Sequence, residues 1–482
     1  MIPRRWLSVL ALLVALAGGG ALIFWRLTDK SLFLDEAFSL SLARLPAPQL
    51  LQAAAHRDVH PPLFYLFARA AFVWLHWPDP EYRWLTAPFG LLTIAATWGI
   101  VRRSFGDVAA AFAALFAAST PALVDFDRIF RMYAPLAAAA TGSWWLLCAA
   151  SQARGARAKI AWAAYVLSAI ALPYIQYLGW FVVFSQALYA LTRRPMLRPA
   201  LLGAAAAVVA FVPWAWALRL QYAAGGRVAM GRGVGFDLLG VVRGALTDNG
   251  LPLAWLHGGW LDVAFIVAAA AILAGAVWLG RTTVLPFWLL PIALQLIASF
   301  AAGKNLLVPR YFVYLLPAFA ASFGVVTAGL LRTPARLAAA AIAAGWLFVN
   351  CASLANVLLV PAYQTPDWYA VDLLLAEKER PDDVFVFDQG MSLLVMRGYA
   401  TVRGHRAYAI DDPRQLPDVE RWLERFSGRR VWYVENQAFN VDPDSTVLKS
   451  LHDSRPQLGA WLQPHEAAED VVYLALFGSR RR

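Results

Sequence analysis

Eleven apolar runs, at residues 6–27, 84–101, 108–122, 132–152, 160–172, 174–192, 199–218, 260–280, 283–302, 311–331 and 335–357, constrain what this chain can fold into. Roughly 20 apolar residues cross a bilayer as a helix, and most of these runs reach or approach that length. The hydrocarbon core offers no water, so a spanning segment must satisfy its own backbone, which a helix does. Composition agrees: 60% of residues are hydrophobic and 15% charged, against about 25% charged in ordinary soluble domains. The expected fold is an α-helical polytopic membrane protein with about eleven spans, juxtamembrane helices on its outer face, and a small C-terminal α/β domain outside the cytoplasm.

The N-terminal MIPRRWLSVLALLVALAGGGALIFW has the basic start and apolar core of a signal peptide, but its apolar run is long enough to span, so it reads as a retained anchor. Arg4 and Arg5, Arg102 and Arg103, Arg154, Arg157 and Lys159, Arg193, Arg194 and Arg198, Arg281, and Arg332 and Arg336 sit in short segments beside these runs, with Asp107 the one acid among them. Positive short loops stay in the cytoplasm. All these groups lie on that side if the eleven runs cross alternately and a further apolar stretch, 62–77, does not cross but lies at the outer surface. This distribution also explains the net charge of +11 without nucleic acid. Cys148 and Cys351 both lie in apolar runs, which leaves no disulfide framework and no zinc-type spacing.

The outer side then receives the polar segments. Residues 28–65 hold Asp35 and Glu36, followed by His56, Arg57, Asp58 and His60 and closed by Pro61 and Pro62. A carboxylate at a membrane surface can act as general base for an acceptor hydroxyl, and one of the Asp35–Glu36 pair can instead orient the acceptor or a divalent cation. The two prolines fix φ and allow a helix to start after them, so Asp58 or His60 either lines a pocket or belongs to a helix-entry turn. The histidines and Asp58 fit no strong metal signature. In LVDFDRIFRMYAPL (123–136), Arg131 can bind a phosphate or a sugar and Asp127 a hydroxyl; the plain alternative is an ion-pair cluster at the membrane interface. In KNLLVPRYFVYLLP (304–317), Lys304 and Arg310 stand on the side where cations are unexpected, and an anionic lipid phosphate is their natural partner. The long loop 219–259 adds further charges. From Pro361 on, β-rich runs at 384–388, 431–435 and 471–477 alternate with helical patterns at 367–380, 413–427 and 443–453, an α/β pattern. No nucleotide-phosphate loop of the dinucleotide or Walker type occurs.

LDEAFS, then HPPLFY, then FRMYAPL, then PRYFVYLLP, in that order over roughly residues 1–330, resemble the polytopic GT-C glycosyltransferases. The likeness is to the bacterial branch of the protein-mannosyltransferase and aminoarabinose-transferase superfamily, including Rgt-type lipopolysaccharide glycosyltransferases. The resemblance implies a catalytic membrane domain over 1–358 and an extracytoplasmic domain over 359–482. It further implies transfer of a sugar from a polyprenyl-phosphate donor to a lipid A, other glycan, lipid or protein acceptor in the bacterial cell envelope, with inversion at the anomeric carbon. Asp35 is then the acceptor-activating acid with Glu36 beside it. Asp58, His60, Asp127, Arg131 and Tyr133 bind substrate, and Lys304 and Arg310 take the phosphate. No cofactor is required beyond, at most, a divalent cation; membrane lipids are partners and nucleic acid is not. The resemblance places the protein in the inner membrane, with the site and the C-terminal domain facing the periplasm. A second acid at the start of the later helix has no clear register between Asp125 and Asp127. The competing readings are a lipid-linked sugar flippase or transporter, which predicts charges inside the spans, and a non-catalytic scaffold in which Asp35 is replaceable.

Overall fold

The computed structural model describes residues 4–76, 81–224, 244–246, 260–279, 286–287, 289–302, 306–360, 366–410, 418–436, 442–463 and 471–480. They form two compact units: residues 1–27 with 42–356, and residues 28–41 with 357–482. The second boundary falls close to the expected 358/359, but residues 28–41, expected within the membrane domain, cluster with the C-terminal unit.

The first unit runs through α1 (Arg4–Phe24), the end of α2 (Leu34–Ala43), α3 (Ala47–Arg57), α4 (Leu63–Trp74), α5 (Pro88–Phe105), α6 (Asp107–Ser119), α7 (Pro121–Asp127), α8 (Tyr133–Gln152), α9 (Gly155–Ile175), α10 (Gly179–Leu191) and α11 (Arg194–Ala224). Helices Trp260–Trp278, Leu289–Ala302, Leu316–Leu330 and Arg336–Leu359 follow, with a 3-10 turn at Pro309–Leu315. Each of the eleven apolar runs contains helix among its described residues. Six helices among the described residues are long and apolar enough to cross a membrane, and a seventh if α6 and α7, bent by 59° at the break before Pro121, count as one span. Shorter apolar helices, α10 and Leu289–Ala302 among them, account for part of the difference from about eleven. At 12 residues, α4 reaches only about 18 Å, well short of the roughly 30 Å hydrocarbon core. Two expected boundaries move. The break between α9 and α10 falls at residues 176–178 rather than at Pro173, which stays inside α9. The 31-residue α11 runs to Ala224, so Arg219 lies on a helix and not in the expected loop.

Small residues let these helices approach closely, as packing in lipid favours. Helix Leu316–Leu330 lies against the alanine-rich α6, and a Cβ on Gly324 would stand 2.4 Å from the Ala109 carbonyl oxygen. Large apolar side chains such as Leu10, Leu13, Val209, Val212 and Phe348 remain exposed, the surface a lipid-facing helix presents. Near the basic segments, Asp107 pairs with Arg102 at 2.8 Å.

The second unit is built on a five-stranded sheet in the order β2-β1-β3-β5-β4: β1 (Val384–Phe387), β2 (Arg406–Ala409), β3 (Val431–Asn436), β4 (Gln457–Gln463) and β5 (Val472–Phe477). β1 pairs parallel with β2 and β3, and β5 pairs antiparallel with β3 and β4. Helices cover both faces, so β1 and β3 read as unbroken apolar runs, VFVF and VWYV. On one face Leu34 and Ala37 of α2 join Trp368, Leu375, Phe385 and Trp432; on the other Leu423, Phe426 and Leu451 pack on Val386 and Tyr433.

Asp383, just before β1, ties the sheet at its start. Its carboxylate accepts from Arg430 Nη2 at 2.6 Å and Nε at 2.9 Å, from Trp432 Nε1 at 2.9 Å and from the Arg380 N–H at 3.0 Å. Burial works to raise the Asp383 pKa, but these donors outweigh it and leave it lowered. A carboxyl depressed in the folded state contributes stability that is present above its unfolded pKa and is lost as pH falls through the folded value. The unfolding temperature of Asp383→Asn should therefore lie below that of the wild type at pH 7, and the gap should close below about pH 4, as read by thermal scans of the full chain in detergent. A gap that persists unchanged at pH 3 would show that the carboxylate charge is not what ties the strands.

Candidate functional site

The most polar buried cluster among the expected site residues forms where α3 ends. Asp58 follows the last helical residue in an extended conformation (φ −125°, ψ 172°), and after Pro61 and Pro62 the chain starts α4 at Leu63. The Asp58 side chain is 5% exposed. Its Oδ1 accepts the Val59 N–H at 2.7 Å and faces His60 Nδ1 at 3.0 Å; its Oδ2 accepts the Tyr65 hydroxyl at 2.6 Å. Arg131 Nη2 stands 3.5 Å from the same His60 nitrogen. A guanidinium only donates and a carboxylate only accepts. The shorter contact to Asp58 thus puts a proton on Nδ1 and makes Arg131 a neighbouring charge rather than a donor to that nitrogen. Burial acts to raise the Asp58 pKa. His60, Arg131 and the Tyr65 hydrogen bond overcome it, so the pKa is lowered and Asp58 is a carboxylate at neutral pH.

Aromatic packing fixes the two sides of this cluster to each other. Phe130, beside Arg131, contacts Phe64 at 5.2 Å, Tyr82 at 5.5 Å and Phe72 at 6.2 Å between ring centroids. α4 and the 129–131 turn are thereby joined through apolar contacts that require no polar group to be desolvated.

The other expected residues divide by role. Arg131 is 3% exposed and joins the cluster. Arg128 Nη1 donates to the carbonyls of Leu22, Ile23 and Trp25 at 2.8, 3.0 and 2.6 Å, satisfying the end of α1. Asp127 is buried, with Oδ2 so close to Gly90 that a Cβ there would stand 2.2 Å away, and with no hydrogen bond to Oδ1. Tyr133 packs into the apolar core, edge-on to Phe126 at 5.0 Å. Arg310 is exposed, with its guanidinium 5.6 Å from the Tyr311 ring centroid. Lys304 lies outside the described residues. Tyr65 was not singled out as a site residue, although it stands in HPPLFY; its signal is a phenol in the first turn of the mostly apolar α4.

Asp35 and Glu36 belong to the other unit. Both open α2, in different surroundings. Glu36 is fully buried and accepts the Phe33 N–H at 3.0 Å, closing the first turn of the helix. Asp35 is half-buried. Leu34 and Ala37 anchor the same helix in the apolar core of that unit, and Ser31 Oγ lies 3.2 Å from the Tyr399 hydroxyl. Among the described residues no group of three His, Cys, Asp or Glu side chains is placed to hold a metal ion.

Among the described residues, six or seven helices long and apolar enough to cross a membrane, with a small α/β unit beside them in sequence, are the architecture of an integral membrane protein. The family profile described as dolichyl-phosphate-mannose-protein mannosyltransferase matches residues 59–216, about a third of the chain, which contain His60, Asp127, Arg131 and Tyr133. The whole chain is similar in fold to ArnT from Cupriavidus metallidurans: TM-score 0.60 at 15% identity for the apo structure, with 98% of this chain and 97% of that one covered. The structure of ArnT bound to undecaprenyl phosphate matches at TM-score 0.54 and 15% identity, with 98% of each chain covered. The oligosaccharyltransferase of Archaeoglobus fulgidus in complex with Zn and sulfate matches at TM-score 0.55 and 13% identity, over 93% of this chain and 71% of that one. No curated protein matches the chain in sequence. The likeness to these structures is one of fold, and the mannosyltransferase family profile covers about a third of the chain.

A hydrogen bond to a charged group contributes about 1.5–3 kcal/mol. Tyr65→Phe removes the bond to Asp58 and leaves the ring in place, so it should destabilise the protein by that order, read as a lower unfolding temperature in detergent. Wild-type stability in this variant would mean that Asp58 finds its partners without Tyr65.

Proposed function

We propose that this protein transfers a sugar from a polyprenyl-phosphate donor to an acceptor hydroxyl outside the cytoplasm, on a lipopolysaccharide, another glycan or a protein. The observation that carries the reading is the buried Asp58–His60–Arg131 cluster, which lies in or directly beside the mannosyltransferase-family segment. A membrane domain has no general need for a histidine and an arginine held around a carboxylate. A binding site for an anionic, hydroxyl-rich headgroup does. Solved structures that share the fold include ArnT bound to undecaprenyl phosphate and the Archaeoglobus oligosaccharyltransferase in complex with an inhibitory peptide and a dolichol-phosphate, which supports a lipid-phosphate carrier here.

In this reading the acceptor O–H gives its proton to Asp35, and the oxygen attacks the anomeric carbon of the donor. The bond from that carbon to the phosphate oxygen breaks, and its electron pair leaves with the polyprenyl phosphate. Arg131, and Lys304 and Arg310 from the later segment, offset the charge that develops on the leaving group. Direct displacement inverts the anomeric centre. Glu36, occupied in closing the first turn of α2, supports the position of Asp35; Asp58 and His60 orient the donor headgroup, Asp127 takes a substrate hydroxyl, and Tyr133 backs that pocket. The positive segments beside the membrane helices favour a site and a C-terminal domain on the non-cytoplasmic side of a bacterial inner membrane.

General-base catalysis contributes about 10² to 10⁴ in rate. Asp35→Asn should lower transfer from a polyprenyl-phosphate sugar by that factor while the protein is made in normal amount. A glycan profile unchanged from wild type in cells carrying the variant would remove Asp35 from the reaction. For the orientation, a reporter active only outside the cytoplasm, fused after Arg482, should be active; activity of a cytoplasm-specific reporter at the same place would turn the proposed site inward.

A further inference from the structure

Gln221 is a buried amide near the end of the mostly apolar α11, 3% exposed. Its Nε2 donates to the Ala54 carbonyl at 2.7 Å and to the His60 carbonyl at 3.1 Å. Its Oε1 accepts the Tyr177 hydroxyl at 2.5 Å, and that hydroxyl in turn accepts Trp214 Nε1–H at 2.9 Å. Two carbonyl acceptors on one side demand the NH₂ there, so the network settles which way the amide points. The two carbonyls are not arbitrary. Ala54 is in the last turn of α3, where helical carbonyls lack a partner within the helix. His60 precedes Pro61 and Pro62, which have no N–H to offer to any carbonyl nearby. Gln221 therefore bridges the two ends of the turn that carries Asp58 and fastens both to α11.

Tyr177 sits between α9 and α10. Burial first, and the Asp58 charge after it, raise its pKa, so the phenol keeps the proton it donates to Gln221. With Trp214 behind it on the same helix as Gln221, the hydroxyl has one direction left for that proton.

We infer that Gln221, oriented by Tyr177 and Trp214, is a positioning residue for the Asp58–His60 pair, holding the backbone of that turn so that the His60 ring stays between the Asp58 carboxylate and Arg131. The inference rests on the sugar-transfer reading for its effect on rate, but the clamp itself can be measured without any substrate. A displacement of about 1 Å at a reacting group costs on the order of 10²-fold in rate.

The test compares the full-length wild type with Gln221→Met and Tyr177→Phe in detergent, by hydrogen–deuterium exchange and by initial rates with a synthetic polyprenyl-phosphate sugar. Gln221→Met keeps the side-chain length and removes every donor; Tyr177→Phe keeps the ring and removes only the hydroxyl. Exchange should rise in peptides covering residues 55–66 in both variants, more in Gln221→Met, and stay at the wild-type level in α5 and α6. kcat/KM should fall roughly 10- to 100-fold in Gln221→Met, less in Tyr177→Phe, and the double variant should be no slower than Gln221→Met alone, as expected of residues acting through one contact. Unchanged exchange in 55–66 overturns the clamp. Raised exchange with a wild-type rate overturns its bearing on the reaction, and additive losses in the double variant remove Tyr177 from it. If the wild type itself transfers no sugar, the reading of function fails, while the exchange comparison still decides whether Gln221 holds the turn.

Discussion

A carboxylate taken out of water loses several kcal/mol of hydration unless other groups replace it, and Asp58 has that replacement in full. A backbone N–H, a phenol and an imidazole take its lone pairs, and an arginine supplies the balancing charge nearby. The partners come from three places: Val59 and His60 from the turn itself, Tyr65 from α4, and Arg131 from the turn before α8. The charge therefore does structural work as it is neutralised. Bringing those segments together is the condition under which Asp58 can be buried, and the proton on His60 Nδ1 that faces it follows from the same contact.

The same requirement explains other polar groups in the helical unit. Arg128 closes the exposed carbonyls at the end of α1, and Arg83, 1% exposed, donates to the Leu27 carbonyl at 3.1 Å just beyond them. Gln186 and Ser143 exchange hydrogen bonds, with Ser168 joined to Ser143 at 3.0 Å. Gln295 takes the Leu306 carbonyl at 2.5 Å and the Tyr314 hydroxyl at 3.1 Å. In each case a side chain satisfies a group on a separate segment, and a bond of that kind has little competing water in an apolar bundle. The smaller unit uses the same device in Arg455, whose guanidinium donates to the carbonyls of Arg429, Gly478 and Leu423 at 2.8, 3.0 and 3.2 Å.

These bonds also mark where the sequence stops being legible. Apolar runs report burial or lipid contact, and each of the eleven holds a helix among its described residues; the prolines after His60 correctly announced the start of α4. β1, β3 and β5 were visible because strands buried on both faces are apolar throughout. β2, RAYA, and β4, QLGAWLQ, lie at the two edges of the sheet, where half the side chains meet water and the pattern fades. Side-chain roles were harder. Arg128 and Arg131 share one short motif, yet one closes a helix end and the other joins a carboxylate. Tyr133 looks like a site residue in FRMYAPL and packs in the core. Gln221 escaped notice because its two bonds go to backbone carbonyls more than 160 positions away, and a carbonyl leaves no mark on residue type.

Fold and chemistry are therefore kept by different means in this chain. At 15% identity to ArnT nearly the whole architecture persists, because helix length, small residues at close contacts and satisfied backbone groups can be met by many sequences. A shared fold does not transmit a reaction; that depends on a few side chains whose surroundings set their state. Asp35 and Glu36 are adjacent and chemically alike, but Glu36 is buried and spends its carboxylate on the Phe33 N–H, whereas Asp35 opens the same helix half-buried. A base that must receive a proton from an incoming hydroxyl needs a lone pair within reach of it. Surroundings decide which side chain can meet that need, and here they differ between neighbours: Glu36 is fully buried at the start of α2, while Asp35 beside it is half-buried.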